Sequence, residues 1–354
     1  MNNMISNFRV PGRQVSCERY GCGHINETYL SVMDDGTRYI LQKINDRVFP
    51  DVDGLMHNIA SVSDFIRARA SDPREAMEVV RASDGGSYYR DGNGDCWRVY
   101  VFVEGSVCLQ SAETAADFAE SAVAFGRFQN LLADFPAATL TETIKDFHNT
   151  PDRYRQLHEA LERDAMGLAG GVERELDFIL SRQEKCSVMH AMRLDGQLPL
   201  RVTHNDAKLN NVLLDAVTRK ALCVIDLDTV MPGLAAYDYG DSIRFGASTA
   251  AEDERELDRV EMSLELFRVY TRGFIRACPS LTGAELDTLP LGALTMTMEC
   301  GSRFLADYLD GDHYFAVHRP GHNLDRARTQ IKLVQDMEQK WEAMHRVVQD
   351  ESKR

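Results

Sequence analysis

Between residues 16 and 103 the apolar positions come in short runs, many with a period of two. Residues 28–33 and 38–44 are separated by Asp34-Asp35-Gly36, a turn signal that predicts a β-hairpin. A helix is expected over residues 54–70. A short strand follows near 87–90, then the turn Asp91-Gly92-Asn93-Gly94 and a strand over 97–103. In that strand Trp97, Val99, Val101 and Val103 alternate with Arg98, Tyr100 and Phe102, the pattern of a half-buried strand. Beyond Glu104-Gly105 the spacing changes to threes and fours, beginning with Phe118, Ala122, Phe125, Phe128 and Leu132. Further helices are predicted over 172–181, 256–276 and 324–344. Val260, Leu264, Phe267 and Phe274 share one face of the second, and Leu324, Ala327, Ile331, Val334 and Trp341 one face of the third. Within this helical half, two apolar runs ending in acids pair as a second hairpin that turns near Thr218. The order is that of an α+β chain with a small antiparallel β lobe over residues 1–104 and a large, mostly helical lobe over 105–354.

With 354 residues, 44% hydrophobic and 27% charged, the chain is long and apolar enough for two cored lobes. A net charge of −15 argues against a nucleic-acid partner, which calls for a basic stripe, and leaves a cationic small molecule open. No run reaches the roughly 18 apolar residues of a membrane span. The first residues lack a basic-then-apolar leader pattern, so the chain is expected to stay in the cytoplasm and off membranes. The eight cysteines, at 17, 22, 96, 108, 186, 223, 278 and 300, show neither Cys-x-x-Cys nor zinc spacing, and read as small buried apolar residues. Cys17 and Cys22 flank a loop and would bridge only in an oxidising environment. The acidic stretch at 252–256 reads as a solvated helix start. Oligomeric state is not legible.

Candidate chemistry concentrates in Thr203-His204-Asn205-Asp206-Ala207-Lys208-Leu209-Asn210-Asn211, with Ile225-Asp226-Leu227-Asp228 downstream. With the second hairpin paired, Asn211 opens one strand opposite Asp226 at the end of the other. An amide oxygen and a carboxylate then converge beside Asp206. Hard oxygen ligands of this kind suit magnesium carried by a nucleotide, because that ion keeps several waters and takes few protein ligands. An acid five residues before an amide on a loop is the arrangement in which Asp takes the proton of an acceptor hydroxyl and Asn holds metal. Polar residues placed at strand ends for local reasons are the competing reading. His204 is expected to brace the loop rather than to transfer protons.

His-x-Asp-x-x-x-x-Asn, followed by an apolar strand and Ile-Asp, resembles the aminoglycoside phosphotransferase and choline kinase family, over about residues 20–344. The fuller strings at 203–212, 224–233 and 237–246 most resemble its N-acetylhexosamine 1-kinase branch. The resemblance implies a bilobal protein-kinase-like fold with ATP and magnesium as cofactors. It also implies phosphoryl transfer to the anomeric hydroxyl of N-acetylglucosamine or N-acetylgalactosamine, with Asp206 as base and Asn211 and Asp226 on the metal. An aminoglycoside, choline, homoserine or a different sugar are the alternative acceptors. A catalytically silent nucleotide-binding module is the alternative from another class.

At the nucleotide end, Gly21 and Gly23 precede the hairpin in a segment similar to the family's Gly-x-x-Asn-Glu-Thr loop, where glycines let backbone N–H groups approach phosphate. Lys43 matches the lysine that pairs with nucleotide phosphates in this fold. Its usual glutamate partner is missing, since residues 55–69 hold only Asp64, with Asp51 and Asp53 just before. The base is expected on backbone around Phe102 to Gly105, Glu104 included, and ATP is not distinguished from GTP. At the acceptor end, Asn26 either caps a turn or faces substrate. Asp238 and Asp241, read as loop acids, are expected to brace the cleft, with Arg244 paired to one of them. Arg303 and Tyr314 offer the planar donor and aromatic face that an acetamido sugar uses, and the resemblance points to the same positions.

Overall fold

The computed structural model describes residues 4–21 and 25–353. Its small lobe contains β1 (Gln14–Arg19), β2 (Glu27–Met33), β3 (Arg38–Lys43), helix α1 (Val52–Arg67), β4 (Val79–Val80), β5 (Tyr89–Arg90) and β6 (Cys96–Val101). The strands form one antiparallel sheet in the order β1-β2-β3-β6-β4, with β5 also on β6. Register places Thr28, Gln42 and Arg98 side by side on one face and Tyr29, Leu41 and Val99 on the other. The second face is covered from outside, where Ile5 and Phe8 pack with Tyr29, Leu41, Trp97 and Val99. The first face looks onto α1 and the large lobe. Both sides of β6 are therefore buried from Cys96 to Tyr100. This corrects the half-buried reading of the strand: its alternation separates two covered faces, not core from solvent.

The large lobe contains β7 (Ser106–Cys108), α2 (Ala115–Leu131), α3 (Thr150–Arg163), α4 (Glu173–Leu180), α5 (Gln183–Leu194), β8 (Arg201–Thr203), β9 (Val212–Asp215), β10 (Ala221–Val224), β11 (Met231–Gly233), α6 (Ala235–Gly246), α7 (Leu264–Ala277), α8 (Gly283–Asp310), α9 (His322–Gln339) and α10 (Trp341–Ser352). An N-terminal antiparallel sheet followed by a largely helical part is the protein-kinase-like arrangement. A three-stranded sheet, β10-β9-β7, and a two-stranded one, β11-β8, carry the loops of the site. Thr114 and Thr282 start α2 and α8 with capping boxes to Asp117 and Glu285. Helices α6 and α8 cross at glycines: a Cβ on Gly292 would sit 2.6 Å from the Ala236 carbonyl oxygen. Among the described residues no helix is long and apolar enough to cross a membrane.

Several expected elements shift. The helix expected over 256–276 begins only at Leu264, where Ser263 caps Leu266 N at 3.2 Å, and residues 257–259 form a single 3-10 turn. The acidic stretch before it is not a solvated helix start. Glu252 pairs with Arg244 at 2.7 Å, and Asp253 with Arg319 at 2.9 Å and His322 at 3.1 Å. The last expected helix is two, broken at Lys340, whose ammonium bridges the Met262 carbonyl (2.9 Å) and Asp336 (2.7 Å). Asp238, Asp241 and Arg244 lie on α6 rather than on a loop. Cys22 lies outside the described residues, and Cys17 is a free thiol.

Candidate active site

Strand β8 runs directly into the loop of the candidate base, and α6 holds that loop from below. Asn205 takes the left-handed conformation (φ 65°). The buried Asp238 carboxylate fixes it, accepting from His204 N (2.9 Å), Asn205 N (2.8 Å) and Gln129 Nε2 (2.7 Å). Burial pushes the Asp238 carboxyl up against these hydrogen bonds. The His204 ring spans the gap to β10: Nε2 donates to the Ile225 carbonyl (2.8 Å), and Nδ1 accepts from Asp206 N (3.3 Å). Its edge packs on Phe125 and Phe128 of α2. Ser242 of α6 donates to the Ala207 carbonyl at 2.6 Å and accepts from Tyr270. Asp241 pairs with Arg244 at 2.8 Å, and Arg244 reaches on to Glu252.

Asp206 stays partly exposed. Its Oδ1 meets Lys208 Nζ at 2.5 Å, and its Oδ2 accepts from Asn211 Nδ2 at 3.2 Å. Burial raises the carboxyl pKa, but the Lys208 ammonium and the Asn211 amide are among the groups that outweigh it, leaving Asp206 below its ordinary range. At neutral pH it is a carboxylate ready to accept a hydroxyl hydrogen bond. Asn211 ends the 3-10 turn Leu209–Asn211, and its carbonyl accepts from Ile225 N at 2.9 Å. It therefore sits opposite Ile225, one residue short of the pairing with Asp226 that the hairpin spacing predicts. Its amide nitrogen is spent on Asp206, which leaves the amide oxygen as the atom that could hold a cation.

Asp226 is left-handed (φ 60°) and opens to the cleft. The surrounding protein, then Asp228 and Asp206, push its carboxyl up to about 6, with solvent in the cleft screening part of that effect. Three carboxylates crowd a space that Lys208 and Arg98 only partly compensate. An amide oxygen and a carboxylate amid surplus negative charge fit a hard divalent cation. Asp228 is buried and reached from the small lobe, by Asn26 Nδ2 at 2.5 Å and Arg98 Nη1 at 2.6 Å. Asn26 also accepts from Asn45 N at 3.0 Å. Its side chain thus ties the two lobes.

Lys43 does not share this face. It lies opposite Glu27 and Trp97 in the register, and its ammonium pairs with Asp95 at 2.6 Å. The expectation that Lys43 steadies phosphates is therefore corrected. With a period of two, Lys43 falls on the outer face, and Gln42 takes the position facing the cleft. Asp64 pairs with Arg81 at 2.9 Å instead. Gly21 has φ 76° and open space around it, while Gly23 lies outside the described residues. Glu104 commits its carboxylate to Arg38 (2.9 Å), and the Gly105 carbonyl accepts from Ala216 N (2.8 Å), anchoring the crossing to the β9–β10 turn.

The phosphotransferase enzyme family matches residues 16–272, a span that takes in the sheet, the loop and α6. The chain belongs to that family. Solved structures share the fold along nearly the whole chain. A microcompartment-associated aminopropanol kinase is 17% identical, with 97% of each chain covered and a TM-score of 0.65. An aminoglycoside phosphotransferase from Alicyclobacillus acidocaldarius subsp. acidocaldarius is 12% identical, covering 98% of this chain and 95% of its own, at 0.66. A choline kinase from Cryptosporidium parvum is 13% identical, covering 97% and 92%, at 0.55. At these identities the likeness is one of fold, and family membership makes phosphoryl transfer the reaction class.

Where the sequence led us to expect the acceptor, Arg303 of α8 donates to the Tyr314 hydroxyl at 3.3 Å, among the rings of Phe147, Tyr314 and Phe315. Tyr314 is 70% exposed, so the cluster is a rim rather than core. His148, next to Phe147, connects it inward. One ring nitrogen meets the buried Glu299 carboxylate at 2.7 Å, the other the Asn205 carbonyl at 3.3 Å. A polar pocket lined by Asp146, His148, His190, Arg193, Asn205 and Tyr237 adjoins the loop there. Sequence reasoning missed Lys208, Asp228, Arg98, His148 and Glu299. The first two stand inside the quoted motif, and a charged residue in an apolar strand signalled a buried pair at Arg98. His148 and Glu299, 151 positions apart, carried no local signal.

Proposed function

We propose that the chain is an ATP-dependent kinase of a small-molecule alcohol and that its acceptor is N-acetylglucosamine or N-acetylgalactosamine, phosphorylated at the anomeric hydroxyl. The observation that carries the reading is Asp206, ionised between Lys208 and Asn211 and close enough to Asp226 for its charge to raise that carboxyl. Asp206 aims the acceptor hydroxyl at the γ-phosphorus and takes its proton as the new O–P bond forms and the bond to the ADP oxygen breaks. Lys208 offsets charge on the transferred group. Asn211 and Asp226 would hold magnesium, which would supply positive charge to offset that of the phosphates. The transition state is loose, so positioning and charge compensation supply most of the rate. His204, Asp238, Asp241 and Arg244 act by holding the loop.

Support for the acetamido sugar comes from Arg303 and its ring cluster, which offers donors to hydroxyl and carbonyl groups and a flat face to a sugar ring. Kinases of aminopropanol, choline and ethanolamine among structures of the same fold support a small alcohol in general. The test is a panel of N-acetylglucosamine, N-acetylgalactosamine, kanamycin, choline, ethanolamine and homoserine with magnesium and ATP, read by phosphorus NMR. A sugar 1-phosphate from the acetamido sugars alone, lost in Arg303→Ala, is the expected result. Product from another acceptor alone would overturn the sugar assignment, and nucleotide binding without turnover on any acceptor would overturn the kinase.

A further inference from the structure

A guanidinium at the centre of a sheet needs a reason. Arg98 is 1% exposed in the middle of β6, beside Gln42 on the cleft face, with Nε donating to Gln42 Oε1 at 2.9 Å. The acids of helix α1 are engaged elsewhere, Asp53 with Tyr88 and Asp64 with Arg81, and what α1 offers Arg98 Nη1 is the Met56 sulfur at 4.0 Å. Its counter-ion is Asp228, from the large lobe, at 2.6 Å. A buried cation is kept only when it is paired, and a core arginine that served packing alone would be replaceable by an apolar residue at little cost. Arg98 is instead held at the point where the lobes meet, by an aspartate two residues along the loop from the metal-ligand candidate Asp226.

In protein kinases a lysine on the third strand meets the phosphates and is fixed by a glutamate on the following helix. Here both parts of that device are absent from their places. Lys43 faces outward onto Asp95, and α1 presents Met56. Each is matched by a group from elsewhere: a cation from the neighbouring strand and an acid from the far side of the cleft. We propose that Arg98 is the cation the small lobe presents to the nucleotide's phosphates, with Asp228 in place of the helix acid as the group that positions it. Arginine suits the task because Gln42 and Asp228 hold Nε and Nη1 while Nη2 remains for a phosphate oxygen, and its charge survives burial. Gln42 fixes the fork at Nε, and Asn26 steadies Asp228 from the same lobe at 2.5 Å. Phosphate binding and lobe closure then share one ion pair, so a triphosphate tightens the contact between lobes while a bare nucleoside does not.

This inference rests on the reading of the cleft as a nucleoside triphosphate site. Isothermal titration of the full chain with magnesium-ATP and with adenosine tests both. Wild type should bind magnesium-ATP; failure to do so would overturn that reading together with this one. Arg98→Lys keeps the charge but loses the fork, and should weaken ATP at least about tenfold while adenosine stays within about twofold. Lys43→Ala should leave both ligands within about twofold. If Arg98→Lys does not give a cooperative melt, the paired Arg98→Met/Asp228→Asn variant removes both charges and supplies the same selective loss. Retained ATP affinity in the arginine variants, an equal loss of ATP and adenosine, or a selective loss of ATP in Lys43→Ala would each overturn the assignment.

Discussion

Replacing Asp238 by asparagine removes one anionic oxygen from beneath the catalytic loop and should lower stability and turnover together. In the wild type one carboxylate oxygen accepts from His204 N and Gln129 Nε2 and the other from Asn205 N, all within 2.7–2.9 Å. Asparagine keeps one accepting oxygen and turns the other into an N–H donor that faces a backbone N–H. Stranding that buried donor costs about 1–3 kcal/mol, and the remaining bonds fall from charge-assisted to neutral strength at about 1 kcal/mol each. Relief from burying the charge works in the other direction, since burial already raises the Asp238 pKa. The net expectation is about 2–4 kcal/mol, a large part of a typical total of 5–15. Urea unfolding should show it as a lower midpoint at unchanged slope. The loosened N–H belongs to Asn205, whose left-handed backbone aims Asp206, and a displacement of about 1 Å there costs on the order of a hundredfold in turnover. Magnesium-ATP affinity should hold, because the groups proposed to bind it lie on the hairpin and in the small lobe. A variant with wild-type midpoint and turnover within twofold would refute the bracing role. Equal loss of turnover and nucleotide affinity would show that Asp238 supports the whole cleft rather than the loop.

Asp206→Asn should reduce turnover by at least about a hundredfold and leave ATP affinity within about twofold, and parallel loss of both would remove Asp206 as the base. Burial and the neighbouring acids Asp228 and Asp206 push the Asp226 carboxyl up to about 6, above its unfolded value of about 4. Its favourable contribution is therefore full below about pH 4 and lost as pH rises through 6. Without added metal, Asp226→Asn should gain urea stability relative to wild type between about pH 4.5 and 7.5 while losing magnesium-dependent ATP binding; a pH-independent difference would contradict the crowding of charge around Asp226. Gly292→Ala forces a methyl group to 2.6 Å from the Ala236 carbonyl oxygen. It should destabilise by about 1–3 kcal/mol and slow turnover through α6, and a neutral thermal melt would show that the α6–α8 crossing has slack.

Much of the site was legible because its parts are close in the chain. Asp206, Asn211 and Asp226 sit on one loop and one hairpin, where spacing alone brings them near each other, and the turn near Thr218 follows from Asp215 accepting from Val217 N and Thr218 N. Family strings supplied Asp238, Asp241 and Arg244 but not their setting on a helix, since a buried helix rich in Tyr, Asp and Gly has no clear polar face. Residues 256–263 read as helix because Val260 happens to fall in phase with Leu264 and Phe267, yet its neighbours are drawn into a bridge between Ser248 and Met262.

Local periodicity determined that Gln42 and Lys43 point to opposite faces of a strand, that the chain divides into a strand-rich and a helical part, and that an acid, an amide and a second acid meet at one hairpin. Which strand face becomes the cleft was decided only in three dimensions. The outer face is closed by Ile5 and Phe8, from a segment far from Lys43 in sequence, and the inner face is claimed by Asp228, 130 positions downstream of Arg98. Alternation specifies two faces without labelling them. The label comes from what packs against each, and burying an arginine opposite a distant aspartate is a choice that the whole fold makes.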